Sequence, residues 1–212
     1  ISCILIRLNF LKMNIPYSKC KNNKGLIIEG LLLLEPKVYQ DKRGFFFESW
    51  NKKDFNKILV ENNQKEQLFF QDNHSSSING TLRGLHYQKE PYAQGKLVRC
   101  IKGKIFDVAV DLRKNSKTFL EYFSVIISSD NHYQFWIPSG FAHGFLTLSN
   151  DTEVLYKTTN YWDRKSEVTL RWDDPAININ WPSKLVKNSF NISEKDSKAL
   201  YSDQINIEDF CR

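Results

Sequence analysis

The sequence has little with which to build a redox or zinc centre. Its four cysteines, Cys3, Cys20, Cys100 and Cys211, are scattered, and none forms a CxxC pair. That spacing argues against a zinc knuckle or a dithiol site and suits ordinary thiols of a reducing compartment, the cytoplasm. No apolar run reaches the roughly 18 residues of a membrane helix. Positive charge is in excess, at a net +6, but it never gathers into a basic block with interleaved aromatics. A solvated lysine surface is expected, compatible with an anionic metabolite and not with nucleic acid or a membrane. Methionine occurs once, at Met13. The residues before it, ISCILIRLNFLK, lack both the positive n-region and the small-residue cleavage site of a signal peptide. Residues 1–12 are expected to be an upstream extension, and residues 13–212 one domain with a helical C-terminal segment.

Aromatic residues are abundant: 15 Phe, 9 Tyr and 5 Trp in 212 residues. They favour strands and ring-lined pockets over a helical bundle. The chain is 41% hydrophobic and 25% charged, a globular balance, and long enough to bury a core without covalent staples. Strand patterns fill residues 26–182: Leu26–Gln40, Gly44–Trp50, Gln67–Asn73, Leu82–Gln88, Lys96–Lys102, Lys104–Arg113, Phe119–Ser128, Gln134–Ile137, Gly144–Leu148, Thr152–Thr159 and Val168–Trp172. So many short, closely spaced strands predict a sandwich or barrel. KLVRCIKGKIFDVAVDLR reads as a hairpin turning at Lys102-Gly103. Beyond the turn, Phe106, Val108, Val110 and Leu112 share one face, and Asp107, Ala109, Asp111 and Arg113 the other, which is wet or lines a site. Helices are expected at Lys52–Val60, where Phe55, Ile58 and Leu59 have helical spacing, and at Ser193–Tyr201, capped by Ser193. There is no repeat, low-complexity tract or linker.

Of the four histidines, His86 and His143 stand in the densest chemistry. His86 lies in TLRGLHYQ, beside Arg83 and Gln88. His143 follows the Pro138-x-Gly140 turn of WIPSGFAHGF. A turn joining two strands can deliver a side chain to a cavity mouth. PSGFAH resembles the second motif of cupins, jelly rolls with a ligand in the barrel. The first cupin motif ordinarily supplies two His and a Glu. GLHYQ stands in its place with one His, so no catalytic metal is expected.

FFFESW, QDNHS, LRGLHYQ, QGKLVRCIKGKIFDVAVDLR, WIPSGFAHGF, EVLYKTTNYW and RWDDPAI follow one another in this order. Together they resemble the dTDP-4-dehydrorhamnose 3,5-epimerase family, over about Gly25 to Tyr201. The resemblance implies a mainly β fold, a cupin jelly-roll barrel with a few short helices. It also implies metal-independent, cofactor-free inversion of C3 and C5 of dTDP-4-keto-6-deoxyglucose. Each inverted carbon adjoins the C4 ketone. The reaction therefore needs a base to form an enolate, a cation at the oxyanion and an acid on the opposite face.

By this resemblance His86 is the base, Asp196 orients it, Tyr156 is the acid, and Lys96 is the cation near the C4 oxygen. Read alone, Tyr156 would be a packed strand aromatic, Lys96 surface charge and Asp196 a helix-start residue. The resemblance also assigns substrate-binding positions to Arg43, Glu48, Gln71, Asp72, Asn73, Arg83, Lys96, His143, Glu167 and Lys195. Arginine suits a diphosphate because its planar fork donates two parallel hydrogen bonds. The family stacks thymine on an aromatic in TTxYY. This chain reads TTNYW, so Trp162 offers the ring without the tyrosine hydroxyl. The family is usually a homodimer in which an N-terminal strand crosses to the partner. The apolar Leu26–Leu34 run is either that strand or an inner-sheet strand. The alternatives are a single-position epimerase or ketoisomerase on the same sugar, a silent nucleotide-sugar-binding cupin, and a metal cupin oxygenase that the depleted His set opposes.

Overall fold

The computed structural model describes residues 15–187 and 189–206. The extension at residues 1–12, Met13, Cys3 and Cys211 lie outside them. The first sheet draws on β1 (Tyr17–Lys21), β2 (Ile27–Leu34), β5 (Gln71–Ser77), β7 (Lys96–Lys102), β10 (Gln134–Ile137) and β12 (Thr152–Thr158), in the order β1-β2-β10-β7-β12-β5. The second comprises β6 (Thr81–Gln88), β8 (Lys104–Asp111), β9 (Tyr122–Ser128), β11 (Phe141–Thr147) and β13 (Glu167–Thr169), in the order β13-β6-β11-β8-β9. A short β14 (Asn191–Ile192) runs parallel along β6. The hairpin of β3 (Tyr39–Asp41) and β4 (Gly44–Phe46) forms a separate two-stranded ribbon. This is the expected jelly-roll arrangement, built as two facing sheets with open edges.

Three apolar clusters fix the layers. Between the sheets lie Ile28, Leu33, Val98, Phe123, Phe135, Phe141 and Val154, with Cys20 and Cys100 buried among them. Burial pushes the Cys100 thiol up to about 11, which leaves it inert at neutral pH. The outer face of the first sheet is covered by α1 (Lys52–Glu61) through Phe55, Ile58 and Leu59, the set expected from helical spacing. Asn51 caps this helix, its side chain accepting from the Lys53 and Asp54 amides, a device worth about 1 kcal/mol. The outer face of the second sheet is covered by the chain returning through Ile177, Ile179, Trp181 and Ile205.

The KLVRC…DLR stretch is not a hairpin. β7 pairs with β10 and β12, whereas β8 pairs with β11 and β9. The Lys102-Gly103 turn is a corner between sheets, because both faces of β8 are apolar enough to be buried separately. Val108, Val110 and Leu112 meet the outer cluster, while Ala109 meets the interior one. The division into two faces holds, but the Asp107 and Ala109 face is buried in the interior and not wet, and the partner strand differs from the one expected. The Leu26–Gln40 strand breaks after Leu34, at Glu35-Pro36, since proline lacks the amide a ladder needs. The run forms β2, inside its own sheet between β1 and β10. The C-terminal helix shrinks to α2 (Glu194–Ser197), with Ser193 as its cap.

One irregularity decides where the chemistry falls. Opposite β11, His86 pairs with His143 and Arg83 with Phe145, so Gly84 and Leu85 together face Gly144. This is a β-bulge, which resets side-chain parity. Arg83 and His86, three residues apart, both turn to the inside, while Leu82, Leu85 and Tyr87 pack outside. Gly84 sits at φ +126°, and a Cβ there would lie 2.6 Å from the Gly144 Cα. A Cβ on Gly144 would lie 2.7 Å from the Arg83 carbonyl and 2.9 Å from Leu85 Cδ2. Gly144→Ala should therefore destabilise the protein by about 1–3 kcal/mol, the usual range for overpacking. A urea titration measures this, and an unchanged midpoint would show that the two strands do not approach this closely.

Candidate active site

A cavity of about 710 Å³ opens at the end of the barrel that the interior cluster leaves unfilled. The first sheet contributes Gln71, Asn73 and Ser75 from β5, Lys96 from β7 and Tyr156 from β12; the second contributes Arg83 and His86 from β6 and His143 from β11. Glu167 on β13 and Trp162 in the preceding loop form part of the wall, and Lys195 and Asp196 reach it from α2. The structure thus gathers eleven of the expected positions into one cavity: His86, Tyr156, Asp196, Lys96, Gln71, Asn73, Arg83, His143, Trp162, Glu167 and Lys195.

Three expected positions are not brought there. β5 alternates, so Asp72 points to the outer face, where its carboxylate accepts from Lys157 Nζ at 3.0 Å. The QDN triplet is split by strand parity. Arg43 sits in the turn of the exposed β3–β4 hairpin, where it pairs with Asp41 at 2.6 Å, and Glu48 lies just beyond its end.

The His86 ring is held from the C-terminal side of the chain. Its Nε2–H donates to Asp196 Oδ1 at 2.7 Å, and the Gly84 amide donates to Oδ2 at 3.3 Å. Asp196 is buried, which opposes ionisation. The His86 hydrogen bond and charge, helped by the Gly84 amide and Ser193, win and hold its pKa below the usual carboxylate value. With the carboxylate ionised, the proton between the two groups sits on Nε2, which leaves Nδ1 as the ring nitrogen available for proton transfer.

Lys96 is buried, and its Nζ donates to the His86 carbonyl at 3.2 Å. Burial lowers its pKa to about 8, while the charges of Glu167 and Asp107 work in the opposite direction. Burial also raises the Tyr156 phenol above its ordinary value, so it stays protonated through neutral pH. His143 is pushed down by burial in spite of Asp107, which accepts from its Nε2–H at 2.9 Å. It faces the cavity as a neutral imidazole. On the rim, Lys195 and Glu167 form an ion pair at 2.6 Å. Trp162 is 54% exposed and its amide donates to Gln71 Oε1.

Asp107 is the residue that reading the sequence for a site passed over. It is fully buried, holds His143, and has its Oδ2 without a hydrogen-bond partner. The signal was present: a carboxylate at the inward parity of an otherwise apolar strand. Among the described residues, no group of three or more His, Cys, Asp and Glu side chains is placed to hold a metal ion.

A family model described as dTDP-4-dehydrorhamnose 3,5-epimerase matches residues 25–203. The dTDP-4-dehydrorhamnose 3,5-epimerase of Shigella flexneri is 52% identical over 169 residues, covering 80% of this chain and 89% of that protein. The structure of a dTDP-6-deoxy-D-glucose-3,5-epimerase from Legionella pneumophila, in complex with dTDP-4-keto-L-rhamnose, superimposes with a TM-score of 0.83. Its sequence is 41% identical, and the match covers 92% of this chain and 98% of that one. A 3'-monoepimerase from Streptomyces bikiniensis, in complex with dTDP-quinovose, gives a TM-score of 0.76 at 28% identity, over 83% of this chain and 85% of that one.

The depressed lysine is directly measurable. Titration of the Lys96 ε-amino group by NMR should give a midpoint near 8, well under the usual value of about 10.4. Asp107→Asn removes a negative charge that favours the ammonium, so the midpoint should fall further. A Lys96 midpoint near 10, or one unmoved by Asp107→Asn, contradicts this account of the wall.

Proposed function

The chain belongs to the dTDP-4-dehydrorhamnose 3,5-epimerase family, and we propose that four side chains of its cavity divide the work of that reaction. The enzyme is an isomerase. It inverts C3 and C5 of dTDP-4-keto-6-deoxy-D-glucose, giving dTDP-4-keto-L-rhamnose, in the biosynthesis of dTDP-L-rhamnose. The observation that carries the residue roles is one cavity walled by a carboxylate-held imidazole, a buried ammonium and a protonated phenol. The imidazole and the phenol stand on opposite sheets.

His86 takes the proton from the carbon next to the C4 ketone. Asp196 fixes the ring and steadies the imidazolium that forms. Lys96 faces the C4 oxygen and stabilises the enolate; in a buried wall that charge acts more strongly than in water. Tyr156 returns a proton from the other sheet, which makes the outcome inversion. Its raised pKa keeps that proton available at neutral pH. The chemistry is proton transfer beside a carbonyl and calls for neither a nucleophile nor a redox cofactor. Arg83 and Lys195 supply positive charge for the diphosphate, Trp162 a face for thymine, and His143, Gln71, Asn73 and Glu167 hydrogen bonds to the remainder of the ligand.

The functional unit is a homodimer. Phe45 and Phe46 are 59% and 72% exposed on a hairpin that pairs with neither sheet, and Arg43 and Glu48 are outside the cavity of their own chain. The hairpin reaches across to a second copy and brings Arg43 to the diphosphate there. This moves the exchange from the Leu26–Leu34 run to the hairpin after it.

Product analysis by NMR in heavy water tests the base and the acid together. Tyr156→Phe should still admit deuterium at the acidic carbons, because a protonated base can return the hydron to its original face. Net inversion should fall by roughly 10²–10⁴, the range for losing a general acid. His86→Ala should abolish exchange and inversion alike. Exchange that survives without His86 and vanishes without Tyr156 would reverse the two roles.

Mixing subunits tests the crossing. Arg43→Ala and His86→Ala homodimers should each be impaired. In a mixed dimer, one site combines an intact His86 with an intact Arg43 from the other copy. Activity should therefore reappear on mixing, and its failure to do so would place Arg43 in its own subunit's site.

A further inference from the structure

The RWDDPAI string takes no part in the cavity wall, yet its polar side chains are spent almost wholly on one stretch of chain. Leu170 exchanges two backbone hydrogen bonds with Leu85, at 3.1 and 2.9 Å, next to His86. On its other side Leu170 forms a parallel bridge with Leu200, and the Arg171 amide donates to the Leu200 carbonyl at 2.9 Å. The Arg171 guanidinium donates to the Ser197 carbonyl and to Asp173, and lies 5.3 Å from the Tyr201 ring centroid. Asp174 is buried; its Oδ2 accepts from the Ser202 amide at 2.6 Å, and its Oδ1 accepts from the amides of Ala176 and Ile177. Residues 170–174 are thus a rung between the strand that carries His86 and the segment that carries Asp196.

The segment needs such a rung. α2 is four residues long, too short to hold its own conformation, since a first helical turn is unfavourable in isolation. Upstream it is tied by β14 on β6 and by the Ser193 cap. Downstream, the ties just described are what keep residues 197–202 from lifting away. A carboxylate that must meet an imidazole at 2.7 Å tolerates little drift.

We infer that Arg171 and Asp174 are positioning residues for the epimerase reaction, a clasp that sets Asp196 against His86. The inference rests on the roles given above to His86 and Asp196. Arg171 and Asp174 do not line the cavity and act through α2, which carries Asp196 and, on the rim, Lys195. Their loss therefore lowers turnover more than it weakens substrate binding, and costs turnover nothing more once Asp196 is gone.

The test compares Arg171→Ala and Asp174→Asn, alone and in an Asp196→Asn background. A misplacement of about 1 Å can cost on the order of 10²-fold. Arg171→Ala should lower kcat by roughly 10- to 100-fold, with a smaller rise in KM through Lys195 on the same helix. Added to Asp196→Asn, it should lower kcat by less than about twofold more, the mark of residues acting as a unit. The downfield NMR resonance of the His86 Nε2 proton should weaken in Arg171→Ala and disappear in Asp196→Asn. Should Arg171→Ala fail to fold, Asp174→Asn and Tyr201→Leu supply the same comparison. Wild-type kcat in folded variants, or losses that multiply with that of Asp196→Asn, would overturn the clasp. If Asp196→Asn alone keeps full turnover, the clasp falls with the reading of Asp196, and that single variant identifies which of the two has failed.

Discussion

The close approach of two strands at Gly84 and Gly144 governs the geometry of the whole cavity. Because neither residue carries a Cβ, β6 can bulge against β11, and the extra residue turns Arg83 and His86 to the same side. His143 then stands directly across from His86 in register. The Gly84 amide, freed from the ladder by the bulge, donates to Asp196. A strand of ideal pleat would put either the arginine or the imidazole on the outside among Leu82, Leu85 and Tyr87. Gly84 and Gly144 thus set the geometry of the cavity without lining it.

Burial gives the lysine and the tyrosine their separate duties. In water an amine and a phenol titrate at nearly the same pH. Desolvation disfavours whichever form is charged, so one wall pushes Lys96 down and Tyr156 up. At neutral pH the lysine is still mostly cationic and the phenol fully protonated. These are the states an oxyanion partner and a proton donor require. The alkaline edge of this arrangement is set by the lysine, near 8. Asp107 matters here because its carboxyl group, with one oxygen unsatisfied, is buried within electrostatic reach of both Lys96 and His143.

The parts of the fold that were legible in the sequence were those with one apolar face. β7 and β10 have the bounds their patterns suggested, and α1 buries the three residues expected of it. β5 was misplaced because its inward side chains, Gln71, Asn73 and Ser75, are polar: a cavity wall carries no hydrophobic signal. The corner at Gly103 looked like a hairpin because a turn has the same local chemistry whether its strands pair or part. Which sheet each strand joins depends on contacts far along the chain. The residues that line the cavity were reached through motifs and not through periodicity. His86 and Asp196 are 110 positions apart, and no local rule links them. Asp72 falls outside the cavity because a motif is contiguous while a strand alternates. Asp107 was passed over because a buried carboxylate among valines looks like a strand's wet face.

The return of the C-terminal segment has a bearing on how the enzyme comes into being. Every strand of the two main sheets apart from the short β14 has been synthesised once the chain reaches Thr169. At that stage the strands carrying His86, Lys96 and Tyr156 exist, but the outer face of the second sheet is still uncovered and the imidazole lacks its carboxylate. The carboxylate arrives only with the stretch through Leu200. Because that stretch is held by a few polar ties and a four-residue helix, it belongs to the low-stability end of the molecule. A protease or mild denaturant that peels it back would leave a shell without the carboxylate that holds His86 and without Lys195 on the rim. Folding and function would then be lost in separate steps.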